Sequence, residues 1–281
     1  MTILQSIILG IIQGLTEFLP ISSSAHLVIV PYLLGWEFPA TEQFIFDVLV
    51  QVATLVAVIV YFWSDLVAIV RAFLVNLWRR TPFQDPQARL GWYLILASLP
   101  AGLIGLALKD LVEQAFDSPV ATACFLFVTA GLLVAAERIG KRARPLEQIN
   151  WKDSLWVGFA QALSIFPGIS RSGSTIAAGM SRDLERPAAA RFSFLMSVPV
   201  MLAAGLLATK DLLELAATPG TSGGDLGSLL LVFIPGFIAS GVVGYLAIRW
   251  LLRYLIHHPL YVFAIYCTAL GLLTLAVSLI R

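Results

Sequence analysis

Six stretches of this chain, roughly 44–63, 91–108, 118–136, 191–209, 228–250 and 260–280, are apolar and long enough to cross a bilayer. At that depth the backbone finds no water, so an open chain can cross only as helix. The expected fold class is therefore an all-α integral membrane protein. Charge agrees: 12% of the residues are charged, where a soluble chain carries about 25%. The mean hydropathy is +0.88. Membrane lipids are thus an obligatory partner. A net charge of +1 with no basic arm argues against nucleic acid as another. Cys124 and Cys267 both fall within spans and read as packing residues, too few for a disulfide framework or a zinc site. No Lys or Arg precedes the first apolar run, so the N-terminus does not read as a cleaved signal peptide.

The chain contains the same unit twice. With a shift of 148, residues 6–52 align without a gap on 154–200, giving 15 identities in 47 positions. Gln13, Phe18, Ser22 and Ser24 match Gln161, Phe166, Ser170 and Ser172, and Glu37-x-Pro39-Ala40 matches Glu185-x-Pro187-Ala188. Apolar composition alone does not produce matched glutamines and serines, so the chain reads as one membrane domain, 1–281, made of two repeats, about 1–140 and 150–281. Each repeat opens with a broken helix pair, about 3–34 and 154–182, whose arms are too short to cross. These read as re-entrant hairpins. Three spans follow each, so the second repeat starts on the opposite face and the duplication is inverted.

Basic residues test that topology independently. The loops 64–90, 137–153, 181–191 and 249–259 carry fourteen Lys and Arg, against Lys109, Lys210 and Arg281 on the other face. The first face is therefore cytoplasmic. The expected location is a plasma membrane, multi-pass, with the first hairpin and both termini on the outer side. Outer loops are acidic, holding Glu37, Glu42, Asp110, Glu113, Asp117, Asp211, Glu214 and Asp225. The stretch 66–78 reads as an amphipathic helix on the inner surface. Pro100, Pro199 and Pro235 are expected to kink their spans, and His257 and His258 fall in a solvated loop.

Polar residues inside the hairpins carry the chemistry. Residues 13–26 hold Gln13, Glu17, Ser22, Ser23, Ser24 and His26 between apolar runs, which is costly unless they face water, one another or a ligand. Pro20 breaks the helix, and the serines are placed to cap a second one starting near Ala25. A helix N-terminus with a carboxylate, hydroxyls and an imidazole around it is a natural anion site. The second hairpin breaks at Pro167-Gly168, where Ser170 or Ser172 caps the next helix and Arg171 sits at the turn. A lone arginine there needs an anion, which is either Glu17 or Asp47 in an internal ion pair, or the oxygens of a phosphate gripped in a fork. Hairpins entering from opposite faces bring both capped N-termini together. Glu17 would repel a bare phosphate but suits a divalent cation, because Mg²⁺ is held by one or two carboxylates plus substrate phosphates. Asp47 and Gln51, at i and i+4, either line the same pocket or bond to neighbouring helices. Gln161 reads as structural.

These motifs resemble the bacterial undecaprenyl-pyrophosphate phosphatases, a family also known for bacitracin resistance. Gln13-x-x-x-Glu17 looks like the family's (Glu/Gln)-x-x-x-Glu motif, Pro20-Ile-Ser22-Ser23-Ser24-Ala25-His26 like its Pro-x-Ser-Ser-x-x-His element, and Pro167–Gly173 like its Pro-Gly-x-Ser-Arg-Ser-Gly motif. The resemblance runs end to end. It implies hydrolysis of an isoprenyl diphosphate lipid, undecaprenyl diphosphate, at the outer side of the membrane, with a divalent metal ion, Mg or Ca, as cofactor. Glu17 would be a metal ligand or acid–base group and Gln13 the other metal-motif position. Ser23 and His26 would be the nucleophile–base pair, sharing a helix face at i and i+3, with Arg171 the phosphate clamp. Gln13, Ser22, Ser24, Ser170, Ser172, Asp47 and Gln51 are the expected substrate-binding residues. Two departures stand out: Gln13 in place of a second carboxylate, and Ser24-Ala25 in place of Thr-Gly. Spacing leaves open whether Ser23 attacks, His26 attacks, or His26 activates water. A homodimer is among the assemblies expected.

The rival from another class is a secondary transporter or lipid flippase, which also uses inverted repeats and broken helices. An intramembrane serine protease would need neither Arg171 nor Glu17.

Overall fold

Apolar length decides the helices, and serine, proline and glycine decide where they stop. The computed structural model describes residues 1–108, 118–217 and 226–280. Among these lie eleven α-helices and no strand. The first hairpin is α1 (Ile3–Phe18) and α2 (Ser23–Leu34). After it come α3 (Ala40–Tyr61), α4 (Trp63–Trp78), α5 (Pro86–Ala107) and α6 (Pro119–Ile139). The second hairpin is α7 (Trp151–Leu163) and α8 (Arg171–Ser181), followed by α9 (Arg186–Ala217), α10 (Leu226–His257) and α11 (Tyr261–Ile280).

Six of these, α3, α5, α6, α9, α10 and α11, are long and apolar enough to cross a membrane, and they coincide with the six expected spans. The chain is a multi-pass membrane protein. The hairpin helices have 16, 12, 13 and 11 residues, each shorter than a crossing. The helix expected over 66–78 is α4, which buries only Ile69 and leaves Trp63, Val70, Leu74 and Trp78 exposed. Lys109, Asp110, Glu113, Asp117, Asp225 and Arg281, on which part of the charge asymmetry rests, lie outside the described residues.

Each hairpin packs against the other half of the chain. α1 lies along α10 where Gly10 meets the backbone of Gly236 and Gly14 faces Ser240. α7 lies along α5, where a Cβ on Gly158 would come 2.6 Å from Ala97 O. Gly10 and Gly158 are repeat mates, and each removes a side chain at a close backbone approach. Between the halves Phe18, Phe46, Phe62, Phe192, Phe194 and Phe233 are fully buried. Phe18 and Phe194 meet edge to face at 5.5 Å.

Two buried carboxylates pin the basic loops. Glu137 accepts from Arg142 (2.7 Å), Arg186 (2.5 Å) and the Leu260 N–H (2.8 Å). Asp153 accepts from Arg144 (2.7 Å) and Arg182 (2.9 Å). Burial opposes ionisation of Asp153, but the bonds from Arg144, Arg182 and the Asn150 N–H outweigh it and hold its carboxyl below the usual carboxylate range.

Candidate active site

The tip of the first hairpin is built by Ser22. Its φ of 69° lies in the left-handed region, a strained conformation for a non-glycine residue, and turns the chain sharply into α2. Ser22 Oγ accepts from the Ala25 N–H at 3.4 Å and shares a 3.2 Å bond with Ser24 Oγ, so the expected cap is present. One turn back, at the end of α1, Gln13 Nε2 donates to Glu17 Oε2 at 3.0 Å. Ser23 Oγ donates to the same oxygen at 2.6 Å.

The tip of the second hairpin is tied to α6. Gly168 has φ +104° and lies so close to Thr122 O that no Cβ fits. Thr129 Oγ1 donates to Gly168 O (2.8 Å) and accepts from the Ser170 N–H (2.9 Å). Ser170 caps α8 through the Gly173 N–H at 3.0 Å. Ser172 Oγ then donates to Leu19 O, 3.0 Å away in the other hairpin, joining the two tips.

Across that joint Arg171 Nη2 donates to Glu17 Oε1 at 2.7 Å. The side chains are 14% and 9% exposed, so this is a nearly dry ion pair. Arg171 Nη1 is buried without a hydrogen-bond partner. Of the two anionic partners open to Arg171 in the sequence, Glu17 is the one in contact.

Both tips face one cavity of about 630 Å³, onto which Glu17, Ser22, Ser23, Ser24, Gln51, Ser170 and Arg171 all open. Gln13 is fully buried behind Glu17, and Ser172 is turned to Leu19. Asp47, one helical turn from Gln51, is not on the cavity wall. A separate cavity of about 310 Å³ opens among Asp65, Arg89, Glu147 and Arg191, away from both tips.

The expected Ser23–His26 pair does not form. His26 is 3% exposed, with Nδ1 bonded to Ser22 O (2.6 Å) and Nε2 to the Tyr266 hydroxyl (2.7 Å). Sharing a helix face at i and i+3 does not make two side chains point at each other. A first-turn side chain leans out past the N-terminus, which carries Ser23 toward Glu17. The carbonyl of the cap lies within reach of His26 on the preceding turn. His26 thus braces the strained Ser22, and Tyr266 of α11 stacks on its ring at 5.6 Å. Nothing in the sequence marks Tyr266; it is one aromatic in an apolar span. Tyr266→Phe, which keeps the stack and loses the hydroxyl, is expected to destabilise the detergent-solubilised protein by about 0.5–1.5 kcal/mol. Thermal unfolding of Tyr266→Phe beside the larger truncation Tyr266→Leu measures it.

The electrostatics favour an anion: two serine-capped helix N-termini and a guanidinium converge on one cavity. A hard cation beside them would need oxygen donors. Among the described residues no cluster of three or more His, Cys, Asp or Glu gathers to form an all-protein cage. The donors present are Glu17, Ser23 Oγ and Gln13 Oε1, the last buried and unpartnered. One carboxylate with neutral oxygens suits an ion that takes its remaining ligands from a bound phosphate.

The comparisons with known proteins agree over nearly the whole chain. Residues 6–273 match the family model described as Bacitracin resistance protein BacA. The chain is 43% identical to a protein of Thermomicrobium roseum named Undecaprenyl-diphosphatase, covering 99% of this chain and 98% of that one. It is 42% identical to proteins of the same name from Moorella thermoacetica, with all of both chains covered, and from Myxococcus xanthus, with 98% and 89% covered.

Proposed function

The chain belongs to the bacitracin resistance protein BacA family, and on that premise we propose that the cavity at the hairpin tips is where it hydrolyses undecaprenyl diphosphate to undecaprenyl phosphate and inorganic phosphate. The observation that carries the site is the Arg171–Glu17 contact, 2.7 Å across 154 residues of sequence, with Ser23 bonded to the same carboxylate.

Phosphoryl transfer asks chiefly for positioning and for neutralisation of charge. Arg171 meets the diphosphate with its unpartnered Nη1 and turns Nη2 from Glu17 to the phosphate oxygens. The first-turn amides of α2 and α8 face the same oxygens. Ser23 Oγ attacks the terminal phosphorus while its proton passes to Glu17, to which it already donates. The bond from that phosphorus to the bridging oxygen breaks, and undecaprenyl phosphate leaves. Water then attacks the same phosphorus and the bond to Ser23 Oγ breaks; Ser23 regains its proton from Glu17, and both protons of the water leave on the released dihydrogen phosphate. Bound Mg²⁺ or Ca²⁺, held by Glu17 with Gln13 and Ser23, would offset the diphosphate charge. Ser22, Ser24, Ser170 and Gln51 line the wall, and His26 holds the tip in shape. Ser172 joins the tips, and Asp47 stands outside the contact set.

The cavity extends past the polar tips between α5 and α9, where Ala101, Gly102, Gly105, Ala203 and Ala204 leave an apolar passage for the isoprenyl chain. The reading includes the inverted arrangement and an outer-face site with both termini outside. The positive-inside bias of the loops supports it, as does the packing of each hairpin on the opposite half.

Purified protein in detergent is expected to release phosphate from farnesyl and undecaprenyl diphosphates, with release abolished by a chelator and restored by Mg²⁺ or Ca²⁺. A carrier without hydrolytic activity would release none, and that result would overturn the reading.

A further inference from the structure

Gln161 sits in the last turn of α7, on the wall of the same cavity. It is 2% exposed, and neither Oε1 nor Nε2 has a hydrogen-bond partner. A buried amide with both ends unmatched is rare and demands an account. Its repeat mate suggests one. In the first hairpin Gln13 Nε2 is held by Glu17, four residues on. In the 148-residue register the counterpart of Glu17 is Ile165, which accepts nothing. The second hairpin thus keeps the glutamine and lacks the group that engages its mate.

Neighbouring groups do not fill the gap. Ser98 and Ser164, on the same wall, direct their hydroxyls to the helix carbonyls Leu94 O and Gln161 O. The other unpartnered polar group of this hairpin on the cavity is Arg171 Nη1, a donor. Two donors without acceptors, one neutral and one cationic, border a single space. An anion supplies what both lack.

We propose that Gln161 is a substrate contact: its Nε2 donates to a phosphate oxygen of the diphosphate headgroup, on the side facing the second hairpin. This rests on the reading of the cavity as a diphosphate site. Being neutral, the amide holds the oxygen in place without competing with Arg171 for charge. The hydrogen bond goes to a charged acceptor, so its loss weakens binding about tenfold to a hundredfold.

The test uses Gln161→Leu, with Gln161→Met as a second apolar replacement. Either removes two unmatched polar atoms from the empty protein, so its unfolding temperature should be unchanged or higher. KM for farnesyl diphosphate should rise at least tenfold with a smaller change in kcat, and inorganic pyrophosphate should lose its protection against heat unfolding. Gln161→Glu, which adds like charge, should raise KM further. A wild-type KM with full pyrophosphate protection in both apolar variants overturns the proposal, as does a lowered unfolding temperature in both. Wild-type protein that is protected by pyrophosphate but releases no phosphate would instead sink the hydrolase reading and leave the Gln161 contact standing.

Discussion

Arg171→Ala should lower kcat/KM for isoprenyl diphosphates by about a thousandfold or more, the upper range for removing one preorganised donor to a developing oxyanion. Two effects add. The clamp is lost, and Glu17, now without the guanidinium 2.7 Å away, stands as an uncompensated negative charge facing an anionic substrate. A nearly dry ion pair broken on one side also costs about 3–5 kcal/mol of stability, so unfolding must be measured beside turnover. Arg171→Lys keeps the charge but not the fork, and Nη1 and Nη2 face different partners. It should recover only part of the activity. Because Arg171 and Glu17 act as a unit, Arg171→Ala combined with Glu17→Ala should be little worse than either alone. Phosphate release by the four proteins completes the cycle. A loss below tenfold in folded Arg171→Ala removes the clamp from the mechanism.

Much of this site is legible in the sequence because burial makes it costly to misread. Glu17 and Arg171 have no business in apolar hairpins unless they meet each other or a ligand, and the hairpins bring them together. Pro20 keeps the first tip out of helix, Gly168 takes the positive φ that the second tip needs, and Ser22 and Ser170 cap the second helix of each hairpin. What spacing does not carry is rotamer and long-range contact. Ser23 and His26 share a face of α2 yet bond in different directions, one to Glu17 and one to Ser22 O and Tyr266. Thr129, which holds Gly168 and Ser170, is an unremarked hydroxyl in a span, about 40 residues before the tip that it fixes. Asp47 shows the converse: periodicity places it on the same face as Gln51, but the four residues between them are about 6 Å of rise, and only Gln51 reaches the cavity.

The second large effect separates Ser23 from His26. Ser23→Ala should abolish turnover, by about a thousandfold or more, because it removes the attacking oxygen and leaves only positioning and charge. Its unfolding should change little, since Ser23 is partly exposed at the first turn of α2 and its one hydroxyl bond is to Glu17. His26→Ala removes the ring's bond to Ser22 O and its bond to the Tyr266 hydroxyl, and opens a buried space beside Tyr266, so it should lower stability and activity together. His26→Asn, with an amide able to bond Ser22 O, should restore more activity than His26→Ala. If His26 were the nucleophile the order would reverse: Ser23→Ala would retain turnover, and no His26 replacement would. Acid quenching during turnover of substrate labelled in the terminal phosphate decides it chemically. Label retained by wild-type protein and resistant to acid marks a serine ester, because a phosphohistidine bond breaks under acid; label lost in acid but kept in base assigns the attack to the imidazole.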